Sequence, residues 1–317
     1  MLVRILLIVL LFGLPIFSKT NHAYADPILE SGMYSGLVVN ADTGEILYNH
    51  KANSFRYPAS LTKMMTLYLL FDALEKGKLT TKSRIKISTE ASHQPPSNLG
   101  IKPGSTITVM EAIQALIIKS ANDVAYAVAE NLGGSAVGFS HMMNNKAKRL
   151  GMKNTKFFNP HGLYHEAQLT TAHDMARLAM AIQRHHRKYF NLFSAKSFRF
   201  KGKVIRSHNH VLLKYKPATG LKTGFITASG FNVVTTAHKP EGNLIAVVMG
   251  GQTAKIRDDH MITLLQDSYE KLAKKSSKYK QGSQSNDRIN SSRPADKRSG
   301  YINSKKHNAF AVLEQKQ

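Results

Sequence analysis

The chain has 317 residues, 42% of them hydrophobic, enough for one large domain or two small ones around a packed core. It has no cysteine, which excludes disulfides, a thiolate nucleophile, a Cys-ligated metal and a lipid-anchored N-terminal cysteine. Its formal charge of +24 points to a polyanionic partner, yet no helix-turn-helix, zinc-finger or aromatic-and-basic RNA-binding signature is present, so nucleic acid is not expected.

The opening residues predict an export signal: Arg4, an apolar run from Ile5 to Phe17, and Ala23-Tyr24-Ala25 as a small-x-small site cleaved before Asp26. The run is shorter than the roughly 20 apolar residues of a bilayer span. Residues 1–25 are therefore expected to leave, and the mature protein to work outside the cytoplasm, where the polyanion would be an envelope polymer or a lipid headgroup.

Tyr34 to Asn40 and Glu45 to Asn49 predict a hairpin across Asp42-Thr43-Gly44. A helix from about Leu61 to Glu75 follows, apolar on nearly every side, which implies burial. Arg84 to Ile87 is a short strand, and His93 to Gly104, rich in Pro and Gly, is a loop able to wall a cleft. Thr108 and Glu111 form a capping box before an apolar helix ending at Ile118. Ser120-Ala121-Asn122 breaks the pattern before helix resumes from Val124 to Leu132. Helices are also expected over Ser135 to Leu150, after the Thr171 and Asp174 cap, and over Asp258 to Lys274. Between the last two, Phe198 to Phe200, Val204 to Arg206, Leu221 to Thr227, Phe231 to Ala237 and Leu244 to Met249 read as short antiparallel strands. The simplest architecture keeps all the strands in one sheet, with the helical block inserted as a second lobe and a cleft where they meet. Residues 276–317 read as a basic, disordered tail on a domain spanning 26–275.

Chemistry enters at Pro58-Ala59-Ser60-Leu61-Thr62-Lys63. On a helix, residues three apart share a face, so the Lys63 amine reaches the Ser60 hydroxyl. A buried lysine loses its proton readily and can then activate a serine. Alone, S-x-x-K is a frequent chance motif and a serine there is commonly an N-cap. Followed in order by Ser120-Ala121-Asn122 and Lys222-Thr223-Gly224, it matches the S-x-x-K, S-x-N, K-T-G set of penicillin-recognising serine enzymes.

With Asn159-Pro160-His161-Gly162-Leu163, the Thr170 to Ala176 helix start and Ser229-Gly230-Phe231-Asn232, the chain from about Pro27 to Lys274 resembles the D-alanyl-D-alanine carboxypeptidases, low-molecular-weight penicillin-binding proteins of the bacterial wall. The resemblance implies an α+β, β-lactamase/DD-peptidase-like fold: a five-stranded antiparallel sheet flanked by helices, plus an inserted mainly helical lobe. It implies Ser60 as nucleophile and acyl-enzyme residue, Lys63 as general base, Ser120 as proton relay and Asn122 as the group holding Lys63 or substrate. Lys222, Thr223 and Gly224 would bind substrate and the Phe225 backbone would donate to the oxyanion. No cofactor or metal is called for. Partners implied are peptidoglycan stem peptides, with β-lactams as covalent inhibitors; the basic tail suggests anionic envelope polymers. Phe225 stands where some relatives have histidine, and many relatives carry a further C-terminal domain and membrane anchor.

Rival functions are a DD-endopeptidase with the same residues, a β-lactamase with Glu166 as added base, and an inactive wall-binding protein. His161 reads as a loop-packing residue, the His185-His186 pair as surface, and Asp174 as a helix cap in preference to a general base.

Overall fold

In the computed structural model, which describes residue 28 and residues 32–290 and side chains as far as residue 277, the expected hairpin forms from Ser35–Asn40 (β1) and Ile46–His50 (β2). Asn40 closes its turn by accepting from the amides of Asp42 and Thr43. The export signal and the tail beyond residue 290 lie outside the described residues.

A 3₁₀ turn, Ala59–Thr62, leads into Lys63–Glu75 (α1). Arg84–Lys86 (β3), Thr89–Ser92 (α2) and Thr106–Thr108 (β4) follow, then Val109–Gln114 (α3), whose capping box forms as the Thr108 and Glu111 pair predicts. A π-turn over Ala115–Lys119 leads to Asn122–Gly133 (α4) and Ala136–Arg149 (α5). After a long loop come Ala172–His185 (α6), Arg187–Phe190 (α7), Ser197–Phe200 (β5), Lys203–Arg206 (β6) and His210–Lys214 (α8). Ala218–Ile226 (β7), Gly230–Lys239 (β8), Gly242–Gly251 (β9) and Ala254–Asn290 (α9) complete the described chain.

The main sheet is five-stranded and antiparallel in the order β2-β1-β9-β8-β7, so the N-terminal hairpin joins the C-terminal strands around the inserted helices. The fold is α+β. Alternation along the strands decides which layer each side chain enters. Leu37, Val39, Ile245, Val247 and Met249 pack towards α1 and α6, whereas Val38, Ala246 and Val248 pack against Met261, Leu265 and Tyr269 of α9. Full burial of such a side chain contributes about 1.5–3 kcal/mol, and Leu265→Ala, which empties the α9 layer, costs about 2–5 kcal/mol.

Three expectations are corrected. Not all strands share one sheet: among the described residues β3 pairs with β4 and β5 with β6, each a small ribbon of its own. The last helix does not stop near Lys274; its backbone continues to Asn290, because lysine, glutamine and serine prolong a helix already seeded by packed turns. His186 is not at the surface but fully buried, while His185 beside it is exposed. Among the described residues, no helix is long and apolar enough to cross a membrane.

Candidate active site

Helix α1 is buried on 11 of its 13 residues, Lys63 included. Its amine lies 3.0 Å from Ser60 Oγ, 2.7 Å from Asn122 Oδ1 and 2.6 Å from the His161 carbonyl oxygen. Burial, then the positive charge of Lys222, lower its pKa well below the usual lysine range, and Asp123 opposes them only in part. A neutral amine has two hydrogens and one lone pair. With the hydrogens given to Asn122 and His161, the lone pair is left for the Ser60 proton.

The backbone around Ser60 is held from several sides. Ala59, just ahead of it, takes a left-handed φ of 48°, a conformation costing about 1–3 kcal/mol for a residue with a side chain. Asn232 on β8 donates to the carbonyls of Tyr57 (3.0 Å) and Pro58 (3.3 Å), tying this segment to the sheet. Gly162 and Gly224 permit the closest approaches: a Cβ on Gly162 would lie 1.8 Å from Ala59 O, and one on Gly224 would lie 2.9 Å from Ser60 N. The 159–163 loop is pinned by Asn159, which accepts from Gly162 N and donates to Leu163 O, and by Thr66, which donates to Pro160 O.

Ser120 ends the π-turn in a left-handed conformation, φ 60°. That turn presents its hydroxyl to Lys222, whose amine donates to Ser120 Oγ at 3.0 Å and to Thr223 O at 2.7 Å. Burial first, then Arg257, bring the Lys222 pKa down to about 7. Asn122 also donates to Pro95 O, and the Asp123 carboxylate accepts from the amides of Leu99 and Gly100, which anchors the Pro-rich loop as a cleft wall. Thr223, Gly224 and Phe225 follow on β7, an edge strand of the main sheet.

These elements enclose a cleft of about 410 Å³ lined by Ser60, Ser120, Asn122, Thr223, Gly224 and Phe225, with Lys63 and Lys222 buried beneath. All eight residues singled out in the sequence therefore come together. Phe225 stands at the mouth, 51% exposed and stacked on Phe231 at 4.2 Å. Asp174 accepts from Asn154 N and Thr155 Oγ1, and Thr171 caps the start of α6, so the pair serves the loop and helix. Glu166 is exposed and does not line the cleft. Among the described residues, no cluster of three or more His, Asp or Glu could hold a metal ion.

Four contributors escaped the sequence reading. His161 serves through its backbone carbonyl, with its own ring held neutral to about pH 3 by burial and by Lys63. Arg257 reaches the cleft from α9, buried beside Asp258 and donating to Asn232 O. His208 and His210 line the same wall, and the His208 pKa is lowered by burial and then by Lys119 and Lys222. No spacing rule links α9 or the 207–210 segment to Ser60.

The arrangement can carry out acyl transfer: a serine at hydrogen-bond distance from a buried amine of lowered pKa, a second serine hydrogen-bonded to a second buried lysine, and an edge strand along which an extended peptide can lie. Comparison with known proteins shows the family. The carboxypeptidase DacF of Bacillus subtilis is 33% identical over 240 residues, covering 73% of this chain and 60% of its own. The solved structure of penicillin binding protein 5 from Haemophilus influenzae superposes with a TM-score of 0.71 at 32% identity, over 73% of this chain and 69% of that one. Penicillin-Binding Protein D2 from Listeria monocytogenes, in a cefotaxime-bound form, superposes with a TM-score of 0.68 at 27% identity, over 74% of this chain and 96% of that one. The chain thus spans about three fifths of the length of DacF. The family described as D-alanyl-D-alanine carboxypeptidase matches residues 21–253, and the chain belongs to it.

Proposed function

We propose that the protein is a penicillin-sensitive serine D-Ala-D-Ala carboxypeptidase that removes the terminal D-alanine from peptidoglycan stem pentapeptides. The observation that carries this is the pair of buried lysines: Lys63 at Ser60, its pKa pushed well below the usual lysine range by burial and Lys222, and Lys222 at Ser120, brought down to about 7. An enzyme that needs a base and a carboxylate-binding cation in one cleft uses two such groups with separated pKa values.

Lys63 Nζ takes the Ser60 proton as Ser60 Oγ bonds to the carbonyl carbon between the two D-alanines. Backbone N–H groups of Ser60 and Phe225 receive the oxyanion. The C–N bond then breaks, the proton passes from Lys63 through Ser120 to the leaving amine, and D-alanine departs. Water attacks the ester, the acid leaves, and Ser60 regains its proton. Lys222, Thr223 and Arg257 hold the substrate carboxylate, and Asn122 keeps the Lys63 amine aimed. β-Lactams acylate the same oxygen, as the cefotaxime-bound Listeria relative suggests.

The work takes place outside the cytoplasm after cleavage at Ala25; residues 26–275 form the catalytic domain, and the basic tail, 276–317, adheres to anionic envelope polymers. Deleting the tail weakens wall association at low salt; unchanged association would remove that part.

Intact-mass analysis with penicillin tests the chemistry. The parent gains a stable adduct and Ser60→Ala does not, and D-alanine is released from a pentapeptide. Hydrolysis of penicillin without an adduct would indicate a β-lactamase, and intact penicillin without an adduct an inactive wall-binding protein. An adduct with cleavage of crosslinked dimers and no D-alanine release would indicate an endopeptidase.

A further inference from the structure

Between Asp174 and Glu241 the chain has no acidic residue, yet thirteen lysines and arginines fall there, so its cations find no carboxylate within their own segment. The densest part is the β5–β6 ribbon, with Lys196, Arg199, Lys201, Lys203 and Arg206 inside eleven positions. Alternation sorts its side chains. Phe198 and Phe200 are buried in the core, which turns Arg199 to the solvent face. There Arg199 stands opposite Val204, and Arg206 opposite Ser197. Lys201 and Gly202 make the turn with left-handed φ of 44° and 78°; asparagine or glycine is the usual choice at the first of these positions, and here it is a lysine. All five cations are exposed, and among the described residues none forms an ion pair, whereas Lys214 of the same acid-free stretch reaches Asp259 at 3.9 Å.

The row of cations is long and narrow. At about 3.3 Å per residue, Lys196 at the base of β5 and Lys201 at the tip are ~16 Å apart. The base meets the rest of the molecule near the cleft. Strand β6 packs against the π-turn that ends at Lys119, and Lys119 is close enough to His208 to lower its pKa, behind burial. Like charges held this close repel, and a bound polyanion relieves that repulsion. Shape decides between the anionic partners found outside the cytoplasm. A lipid surface takes an apolar wedge as well as cations. The ribbon's phenylalanines are turned inward and leave only Val204, 54% exposed, to insert. A linear chain with one phosphate per repeat needs a narrow cationic row and no wedge.

We propose that the β5–β6 ribbon is a docking strip for a linear phosphodiester polymer of the envelope, held lengthwise by Arg199, Lys201, Lys203 and Arg206. The planar guanidinium groups of Arg199 and Arg206 take phosphate oxygens two at a time, while Lys201 and Lys203 act as point charges at the tip. The strip belongs to the folded domain and is separate from the basic tail. It adds a second point of attachment, and one that fixes how the molecule lies, because the ribbon is packed on the core and the tail is joined to it only through the chain. It does not depend on which reaction the cleft performs.

The test is titration of the full chain, tail included, with soluble poly(glycerol phosphate) between about 50 and 200 mM salt. Changing Arg199, Lys201, Lys203 and Arg206 together to Gln is expected to weaken binding by about tenfold or more at the low-salt end. It also flattens the slope of log Kd against log salt by about 3, four lost phosphate contacts at ~0.7 each. A charge-matched control, with the exposed Lys78, Lys82, Lys86 and Lys102 changed to Gln, loses less than about threefold. Melting curves report an intact fold, since all eight side chains are exposed. Equal losses in the two variants would mean that net charge alone binds, and unchanged binding in the ribbon variant would leave it to the tail; either overturns the strip. So does a parent that does not bind the polymer. A ribbon variant that keeps the polymer but loses anionic phospholipid vesicles makes the surface a membrane contact, which also overturns the proposal.

Discussion

A titratable group is buried against each end of helix α1, and the two meet opposite surroundings. At its start, the three hydrogen-bond partners of Lys63 are all neutral, and the nearby Lys222 adds a like charge. Near its end, buried His186 lies 3.0 Å from Glu75 and 3.5 Å from Asp72, and Lys146 lies 2.8 Å from Asp72. The Tyr68 ring packs edge-on to His186 at 4.4 Å. A buried basic group with carboxylates in reach braces the fold; one left without a counter-charge is pushed towards the form that can accept a proton.

The largest expected effect comes from removing the uncompensated amine. Lys63→Met lowers the rate of acylation by penicillin by about 10²–10⁴-fold, the usual contribution of a general base. Thermal stability falls by about 1–3 kcal/mol, because Asn122 Oδ1 and the His161 carbonyl lose a buried donor. Stopped-flow acylation and a melting curve decide it; acylation within tenfold of the parent would mean that Lys63 is not the base.

The second effect is on pH. Lys222 titrates at about 7, so it is charged below that pH and neutral above it. Affinity for a carboxylate held by the charged form is therefore present below pH 7 and is lost as pH rises through it, with KM for a D-alanine-terminated peptide climbing by up to about tenfold per unit. Lys222→Arg, which stays charged, flattens the profile between pH 6 and 9. An unchanged profile in that variant assigns the titration elsewhere.

Third, breaking the compensated cluster affects the fold and not the chemistry. His186→Ala removes packing from Tyr68 and Phe71 and leaves Asp72 and Glu75 without it, lowering stability by about 2–3 kcal/mol in urea unfolding. Acylation by penicillin is unchanged. A large loss of acylation would mean that the two ends of α1 are coupled.

The smallest effect belongs to the mouth of the cleft. Phe225→Ala removes a stack worth ~0.5–1.5 kcal/mol and lowers stability by about that amount. Acylation changes by less than tenfold, because in the proposed mechanism Phe225 serves through its backbone N–H and not its ring. A larger loss would make the ring part of substrate binding.

What was legible followed from backbone periodicity. Ser60 and Lys63 are one turn apart, and any helix at that point sets the amine over the hydroxyl. Thr108 with Glu111 announced its own helix start, and the short β-branched runs between turn residues announced antiparallel strands. Ser120, Asn122 and Lys222 were legible only as a motif set, because nothing in the local pattern says that they meet. His185 and His186 show the limit: neighbours in sequence and alike in composition, one is exposed and the other fully buried.

The sequence by itself determined the longer helices, the strands of the main sheet and the Ser60 and Lys63 pair, since each depends on residues a few positions apart under fixed helical or strand geometry. Only the tertiary structure decided the rest: Lys63 meets Asn122 across 59 positions and His161 across 98, and Lys222 meets Ser120 across 102. Contacts that distant depend on how sheet and lobe pack. The same packing removes water from the two lysines, so the chemistry of those amines exists only in the folded chain.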